Sequence, residues 1–221
     1  MSLAAVIFDF DGVVIDSHVA HERSWFALAG ELGRPFTKEI FVSTFGQRND
    51  SILPMLGWVE EADETGIRRL GDRKEEIYRE ILRKEGISPL PGVRELLMDL
   101  RMNGIPCAIG TSTPRENVGC VLEITGLSGF FQAVAASEDV TRGKPDPEVF
   151  LKAAGKLGAE PPDCVVIEDA QVGIRAAKAA GMKALAVTTT HPAEALAPEN
   201  PDRIEDSLVP VNAAYLRGLW C

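Results

Sequence analysis

The sequence is short of the features that would direct it to a membrane or to nucleic acid. No apolar run approaches the roughly 20 residues that a membrane-spanning helix needs. The stretch Met1-Ser2-Leu3 carries no positive charge ahead of an apolar run, so no secretory signal is expected. Basic residues are outnumbered, with 23 Lys and Arg against 33 Asp and Glu, for a formal net charge of −10. No basic run offsets this balance, which argues against a nucleic-acid surface. The four cysteines, Cys107, Cys120, Cys164 and Cys221, lack the spacing of a metal site. Two of them fall in expected strands, where cysteine behaves as a small apolar residue. Reduced thiols in a cytoplasmic protein are therefore the economical expectation. Neither an internal repeat nor a low-complexity segment is present. At 221 residues the chain can bury one sizeable core, or a core with a modest second domain.

What is present begins with an apolar run, Ala4-Ala5-Val6-Ile7-Phe8, followed by Asp9-Phe10-Asp11-Gly12. A short continuous run of apolar and β-branched residues reads as a strand buried on both faces, as in parallel sheets. Ligands of open α/β sheets sit beyond the carboxyl ends of the strands, where Asp9 and Asp11 would lie. Asp-Gly is also a common turn signal, and an isolated Asp-x-Asp often caps a helix. A buried strand that gathers negative charge at its tip nevertheless calls for a reason. A divalent cation and an anionic substrate supply one.

From Ser17 to about Gly86 the pattern turns helical and charged, with no convincing strand. Helices are expected over His18 to Leu32, Phe36 to Phe45, Ser51 to Leu56 and Gly66 to Lys84, with a loop at Gly46-Gln47-Arg48-Asn49-Asp50. After Gly86 strands and helices alternate. A helix from Pro91 to Met102 precedes a strand at Ile105 to Gly110. Thr113-Pro114-Arg115-Glu116 reads as a helix start, with Thr113 as N-cap, Pro114 in the first position and Glu116 completing a capping box. That helix runs to Thr125-Gly126. A short strand at Ala133 to Ala136, a helix from Asp146-Pro147 to Gly158, and a strand at Cys164 to Ile167 follow. A helix from Val172 to Ala180 and a last strand at Ala184 to Val187 complete the pattern. Such alternation implies a parallel sheet covered by helices on both sides. Beyond His191 the sequence is rich in Pro, Asp, Glu and Asn, and no element is assigned there.

Three later stretches also place chemistry at strand ends. Thr111 and Ser112 follow the strand ending at Gly110, where a hydroxyl beside a helix N-terminus can donate to a phosphate oxygen. In Arg142-Gly143-Lys144-Pro145-Asp146-Pro147, the proline behind Lys144 restricts it to an extended or turn conformation. Val165-Val166-Ile167-Glu168-Asp169 repeats the logic of the first strand, a buried run ending in two acids.

Together these stretches resemble the four signatures of the haloacid dehalogenase-like superfamily, in order and across nearly the whole chain. Phe8-Asp9-Phe10-Asp11-Gly12-Val13 is similar to the first. Within the superfamily the chain resembles the branch of β-phosphoglucomutases and sugar-phosphate phosphatases. The resemblance implies a Rossmann-like parallel sheet core over residues 1–16 and 88–221, with an inserted α-helical cap over 17–87. It implies Asp9 as a nucleophile forming an aspartyl-phosphate, and Asp11 as general acid and base. Thr111, Ser112 and Lys144 would bind phosphate, and Asp9, Asp11, Glu168 and Asp169 would hold Mg2+. The cap would move as a lid on hinges near Ile15-Asp16-Ser17 and Ile87-Ser88-Pro89.

Cap residues divide the two chemistries of this branch. His21, Arg48 and Lys74 fall where a phosphosugar mutase carries residues for the substrate. Gly46-Gln47-Arg48, however, lacks the Ser that normally precedes the Arg and looks one residue shorter. Thr188-Thr189-Thr190-His191-Pro192 resembles the phosphatases of the branch. The expected function is thus a magnesium-dependent phosphatase acting on a small phosphorylated metabolite, a sugar phosphate above all. A mutase is the alternative. A non-catalytic module that binds a phosphorylated ligand is a third reading, disfavoured because Asp9, Asp11 and Lys144 are all present. A monomer or weak dimer, without nucleic-acid or membrane partners, is expected.

Overall fold

The computed structural model describes residues 2–44 and 47–220. The chain divides into two compact units, Met1–Asp16 with Ile87–Cys221, and Ser17–Gly86. In chain order, β1 (Ala5–Phe8) is followed by α1 (His18–Leu32), α2 (Lys38–Thr44), α3 (Asn49–Met55) and α4 (Glu64–Glu85). The first unit then resumes with α5 (Val93–Met102), β2 (Cys107–Gly110), α6 (Arg115–Thr125), β3 (Ala133–Ala135) and α7 (Glu148–Leu157). It continues with β4 (Cys164–Glu168), α8 (Gln171–Ala179), β5 (Lys183–Val187), α9 (Ala193–Leu196), β6 (Arg203–Glu205) and α10 (Ala213–Arg217). No helix among the described residues is long and apolar enough to cross a membrane.

The sheet has the order β3-β2-β1-β4-β5-β6, with every neighbouring pair parallel. This is the doubly wound arrangement that the alternating pattern predicts. The chain winds outward in one direction from β1 to β3 and in the other from β4 to β6. The switch point therefore falls between β1 and β4, where such sheets open a crevice at their carboxyl ends. Every residue of β1 is completely buried. Ala5 and Ile7 join Val149, Phe150 and Ile174 in one apolar cluster, while Val6 and Phe8 are buried on the opposite face. Burial on both faces is why the strand reads as a continuous apolar run instead of an alternating one.

The helical unit has its own core of Trp25, Leu28, Phe36, Phe41, Ile52, Leu53, Leu70 and Ile77. Its longest helix, α4, opens two residues earlier than the pattern suggests, because the Asp63 carboxylate caps it by accepting from the Gly66 N–H at 2.9 Å. On its polar face Arg73 pairs with Glu31, Glu76 and Glu80. The expected loop is also shorter than its pattern: Asn49 and Asp50 belong to α3, with Arg48 as its extended N-cap. Phe45 and Gly46 lie outside the described residues.

One expectation for the first unit is corrected, and one unassigned stretch gains its elements. The capping box at α6 is absent: Pro114 is the N-cap and the helix begins at Arg115, whose N–H donates to the Glu138 carboxylate at 3.1 and 3.2 Å. Thr113 is drawn away because its hydroxyl donates to Asp11. The unassigned tail contains β6, which extends the sheet beside β5. At three residues β6 is too short to show a period. It is held in place by Asp202, which accepts from Lys178 at 2.8 Å, Lys183 at 2.9 Å and the Ala184 N–H at 2.8 Å.

The tail also packs against the start of α5. Gly92 there has φ +86°, and a Cβ would stand 2.3 Å from backbone atoms of Leu208 and Val209. Gly104 has φ +68° with open space around it. Gly104→Ala should therefore cost only the left-handed conformation, about 1–2 kcal/mol. Gly92→Ala must also displace backbone, so denaturant unfolding should show a clearly larger loss for it. Equal losses would mean that the tail is not packed here.

Candidate active site

Register brings the first acids together. Phe8 pairs with Ile167, and the Asp9 N–H donates to the Ile167 carbonyl at 2.9 Å. The strands thus end side by side, with Asp9 leaving β1 next to Glu168 at the tip of β4. Gly12 then turns the chain with φ +81°, and a Cβ there would stand 2.0 Å from Asp169 Oδ2. Only a glycine satisfies both the backbone conformation and this approach. Gly173 plays a similar part in α8: a Cβ would lie 1.6 Å from Glu168 Oε1, so its absence lets the carboxylate rest against the helix.

Into this group of acids comes Lys144, whose Nζ donates to Asp9 Oδ1 at 2.6 Å and to Glu168 Oε1 at 2.7 Å. The Lys144–Pro145 peptide bond is cis. Nζ also lies 4.7 Å from the centre of the Phe150 ring. Glu168 Oε2 accepts from the N–H groups of Asp169 and Ala170, both at 2.8 Å. Asp169 receives a hydrogen bond from Thr190 in the loop after β5. Asp9, Glu168 and Asp169 are all buried, and each can offer an oxygen within 4.8 Å of the other two.

The electrostatics are under tension. Burial pushes the Asp9 carboxyl up, and Glu168 and Asp11 add to the rise while Lys144 opposes it. Asp169 is raised by burial and then by the charges of Glu168 and Asp9. Burial works against the Lys144 charge, but Asp9 and Glu168 outweigh it and hold the ammonium above the usual lysine range. One cation among three buried acids leaves the cluster short of positive charge. Hard oxygen donors from two or three carboxylates, with room for water and substrate oxygens, suit a divalent cation such as Mg2+. The donor set therefore fits the metal that the sequence implies.

The remaining expected residues sit around or apart from this cluster. Asp11 is fixed by the Thr113 hydroxyl. Thr113 in turn donates its N–H to Thr111 Oγ1 at 3.1 Å, which links the first acidic loop to the end of β2. Ser112 is exposed in that same turn. In the helical unit, His21 Nδ1 lies 2.7 Å from Lys74 Nζ and its ring stacks on Tyr78, with centroids 4.2 Å apart. Lys74 is almost completely buried and also donates to Glu75 at 3.0 Å. Arg48 is more than half exposed and pairs with Asp50 at 2.9 Å. Three residues of the site escaped the sequence reading. Thr113 fits the pattern of a helix cap, and Thr190 and His191 stand out only through the likeness of Thr188-Thr189-Thr190-His191-Pro192 to the phosphatases of the branch, which gives them no role at the acids. Gly173, one turn into α8, was the available sign that an acid packs against that helix.

Lys144 is the natural point to test. Replacing it with Met leaves three buried acids without their internal counter-ion, and breaking a buried pair this way typically costs about 3–5 kcal/mol. Because the two shifted acids are raised, protonation relieves the repulsion and the loss should shrink as pH falls from 8 to 5. Denaturant unfolding of wild type and Lys144→Met in EDTA across that range checks it. A loss that does not change with pH would contradict the electrostatic role.

The comparisons with known proteins point the same way. Residues 3–181 match the family model described as haloacid dehalogenase-like hydrolase. The chain is 36% identical over 190 residues to the chloroplastic 5-amino-6-(5-phospho-D-ribitylamino)uracil phosphatase of Arabidopsis thaliana; the match covers 84% of this chain but only half of that protein's length. It is 33% identical to the fructose-1-phosphate phosphatase of Escherichia coli, covering 83% of this chain and 96% of the relative. A solved β-phosphoglucomutase from Clostridium difficile superposes with a TM-score of 0.84 at 27% identity, over 99% of this chain and 97% of that one. With the sheet order and the grouped acids already described, these matches establish that the chain belongs to the haloacid dehalogenase-like hydrolases.

Proposed function

We propose that the chain is a magnesium-dependent phosphatase that removes phosphate from a small sugar phosphate through an aspartyl-phosphate on Asp9. The observation that carries this reading is the contact of Asp9 Oδ1 with the Lys144 ammonium at the switch point of the sheet. A nucleophilic carboxylate must be ionised, and burial works against that. Lys144 holds one oxygen of Asp9 in its charged form, leaving the other for attack on phosphorus. A bound Mg2+ would supply Lewis acidity and offset the charge of the phosphate oxygens. Asp9, Asp169 and Glu168 are the residues assigned to hold it, together with the backbone carbonyl of Asp11.

Asp11 protonates the leaving alkoxide and then takes a proton from the water that opens the aspartyl-phosphate. The Thr113 hydrogen bond sets the orientation from which it does so. Thr111 and Ser112, in the turn after β2, are assigned to donate to the phosphate oxygens beside the N-terminus of α6. Substrate discrimination is assigned to the helical unit as the cap, through His21, Arg48 and Lys74. There Arg48 already has Asp50 as its counter-ion and Lys74 has Glu75, which weakens the grip either could exert on a second phosphate. A phosphosugar mutase needs that grip to keep water out while its intermediate turns round. The paired state of both cations is what favours hydrolysis over isomerisation.

Two experiments test the reading. Phosphate release should be measured over a panel of sugar monophosphates with Mg2+, in EDTA, and with Asp9→Asn. Release should need both Mg2+ and Asp9, and Mg2+ at a hundred times its dissociation constant should stabilise the fold by about 2.7 kcal/mol. Activity that survives exhaustive chelation would sink the metal assignment. In the second, the enzyme is incubated with β-glucose 1-phosphate and a trace of glucose 1,6-bisphosphate. Free phosphate supports the phosphatase; stoichiometric glucose 6-phosphate with negligible free phosphate would make it a mutase.

A further inference from the structure

The three buried acids of the core are held in three different ways. Lys144 grips Asp9, and Lys144 with two backbone N–H groups grips Glu168. The Asp169 carboxylate is met by the hydroxyl of Thr190, which donates to Oδ2. That same hydroxyl lies 3.3 Å from the Asp169 carbonyl and 2.9 Å from His191 Nδ1, and His191 Nδ1 lies 3.1 Å from the Asp169 carbonyl.

Donor chemistry fixes the direction of each contact. A carbonyl oxygen only accepts, so His191 Nδ1 must carry a proton. Thr190 has a single proton, and a carboxylate is the stronger acceptor for it. The one Nδ1 proton of His191 is shared between the Asp169 carbonyl and a free lone pair of Thr190, so His191 braces both groups while Thr190 donates to the Asp169 carboxylate. Gly12 packs against the same pair: a Cβ there would lie 2.0 Å from Asp169 Oδ2 and 3.0 Å from the Thr190 methyl. The Asp169 carboxylate thus rests against both the Gly12 backbone and the Thr190 side chain.

We propose that Thr190, backed by His191, is a positioning residue that holds Asp169 for divalent-cation binding. The proposal rests on the reading that the acid cluster holds such a cation. A carboxylate has about four lone-pair positions, so one hydrogen bond to Oδ2 leaves ample capacity for a metal. Without that bond, the charges of Glu168 and Asp9 would turn Asp169 aside. Contacts of this outer kind typically change metal affinity by about tenfold to a hundredfold. Neither the apolar run of a strand nor the pattern of a helix marks Thr190, because it lies in a loop reached only after β5.

The test is calorimetric titration of Mg2+, and separately of Mn2+, into wild type, Thr190→Val and Thr190→Ser, with each variant also melted in EDTA. Thr190→Val keeps the shape but loses the donor, and should weaken binding by about tenfold or more. Thr190→Ser keeps the donor and should retain wild-type affinity. Unchanged affinity in Thr190→Val would overturn the proposal. So would an equal loss in both variants that tracks a fall in melting temperature in EDTA, which would mark a merely structural role. If wild type itself binds neither metal, the reading of the acid cluster falls and the proposal falls with it.

Discussion

The contact on which the core unit depends is the ammonium of Lys144 between Asp9 and Glu168. Two parallel strands in register deliver two acids to neighbouring tips, and a third follows one residue later. Packed this closely in a buried site, carboxylates repel one another and resist ionisation. Lys144 relieves part of that strain, yet leaves the cluster with more negative than positive charge. This residual imbalance is the physical link between fold and chemistry. The site is built to attract a divalent cation and, through it, an anionic substrate.

The same imbalance explains the small residues around the cluster. Gly12 and Gly173 are there because carboxylates occupy the space where their side chains would be. Thr113 and Thr190, each from a loop beyond a different strand, supply donors to Asp11 and Asp169. Side-chain hydroxyls can do this without adding charge, which keeps the site's demand for a metal intact.

Much of this was readable in the amino-acid order, and for identifiable reasons. Strands buried on both faces show as unbroken apolar runs, so β1 and β4 stand out, and with them the acids that end each run. The proline after Lys144 and the glycine after Asp11 are punctuation with a backbone meaning. What escaped has physical reasons too. Thr113 satisfies the pattern of a helix cap, and nothing local reveals that a carboxylate about a hundred positions earlier in the chain competes for its hydroxyl. β6 has three residues and no period, and its place beside β5 depends on Asp202 reaching Lys178 and Lys183. The Asn49-Asp50 pair reads as loop by composition, yet Asn49 sits in α3 with its amide on Glu75 at 2.7 Å. In each case a tertiary contact outweighs a local preference.

The central claim is that Asp9 carries the phosphoryl group during turnover. Acid quenching of the working enzyme followed by borohydride treatment reduces an acyl phosphate to the alcohol, turning the aspartate that bore it into homoserine. Peptide mass spectrometry then reads the position. The account requires homoserine at position 9, formed only when a phosphoryl donor and Mg2+ were present. Homoserine at another acid, or none at all under conditions of active turnover, would contradict it.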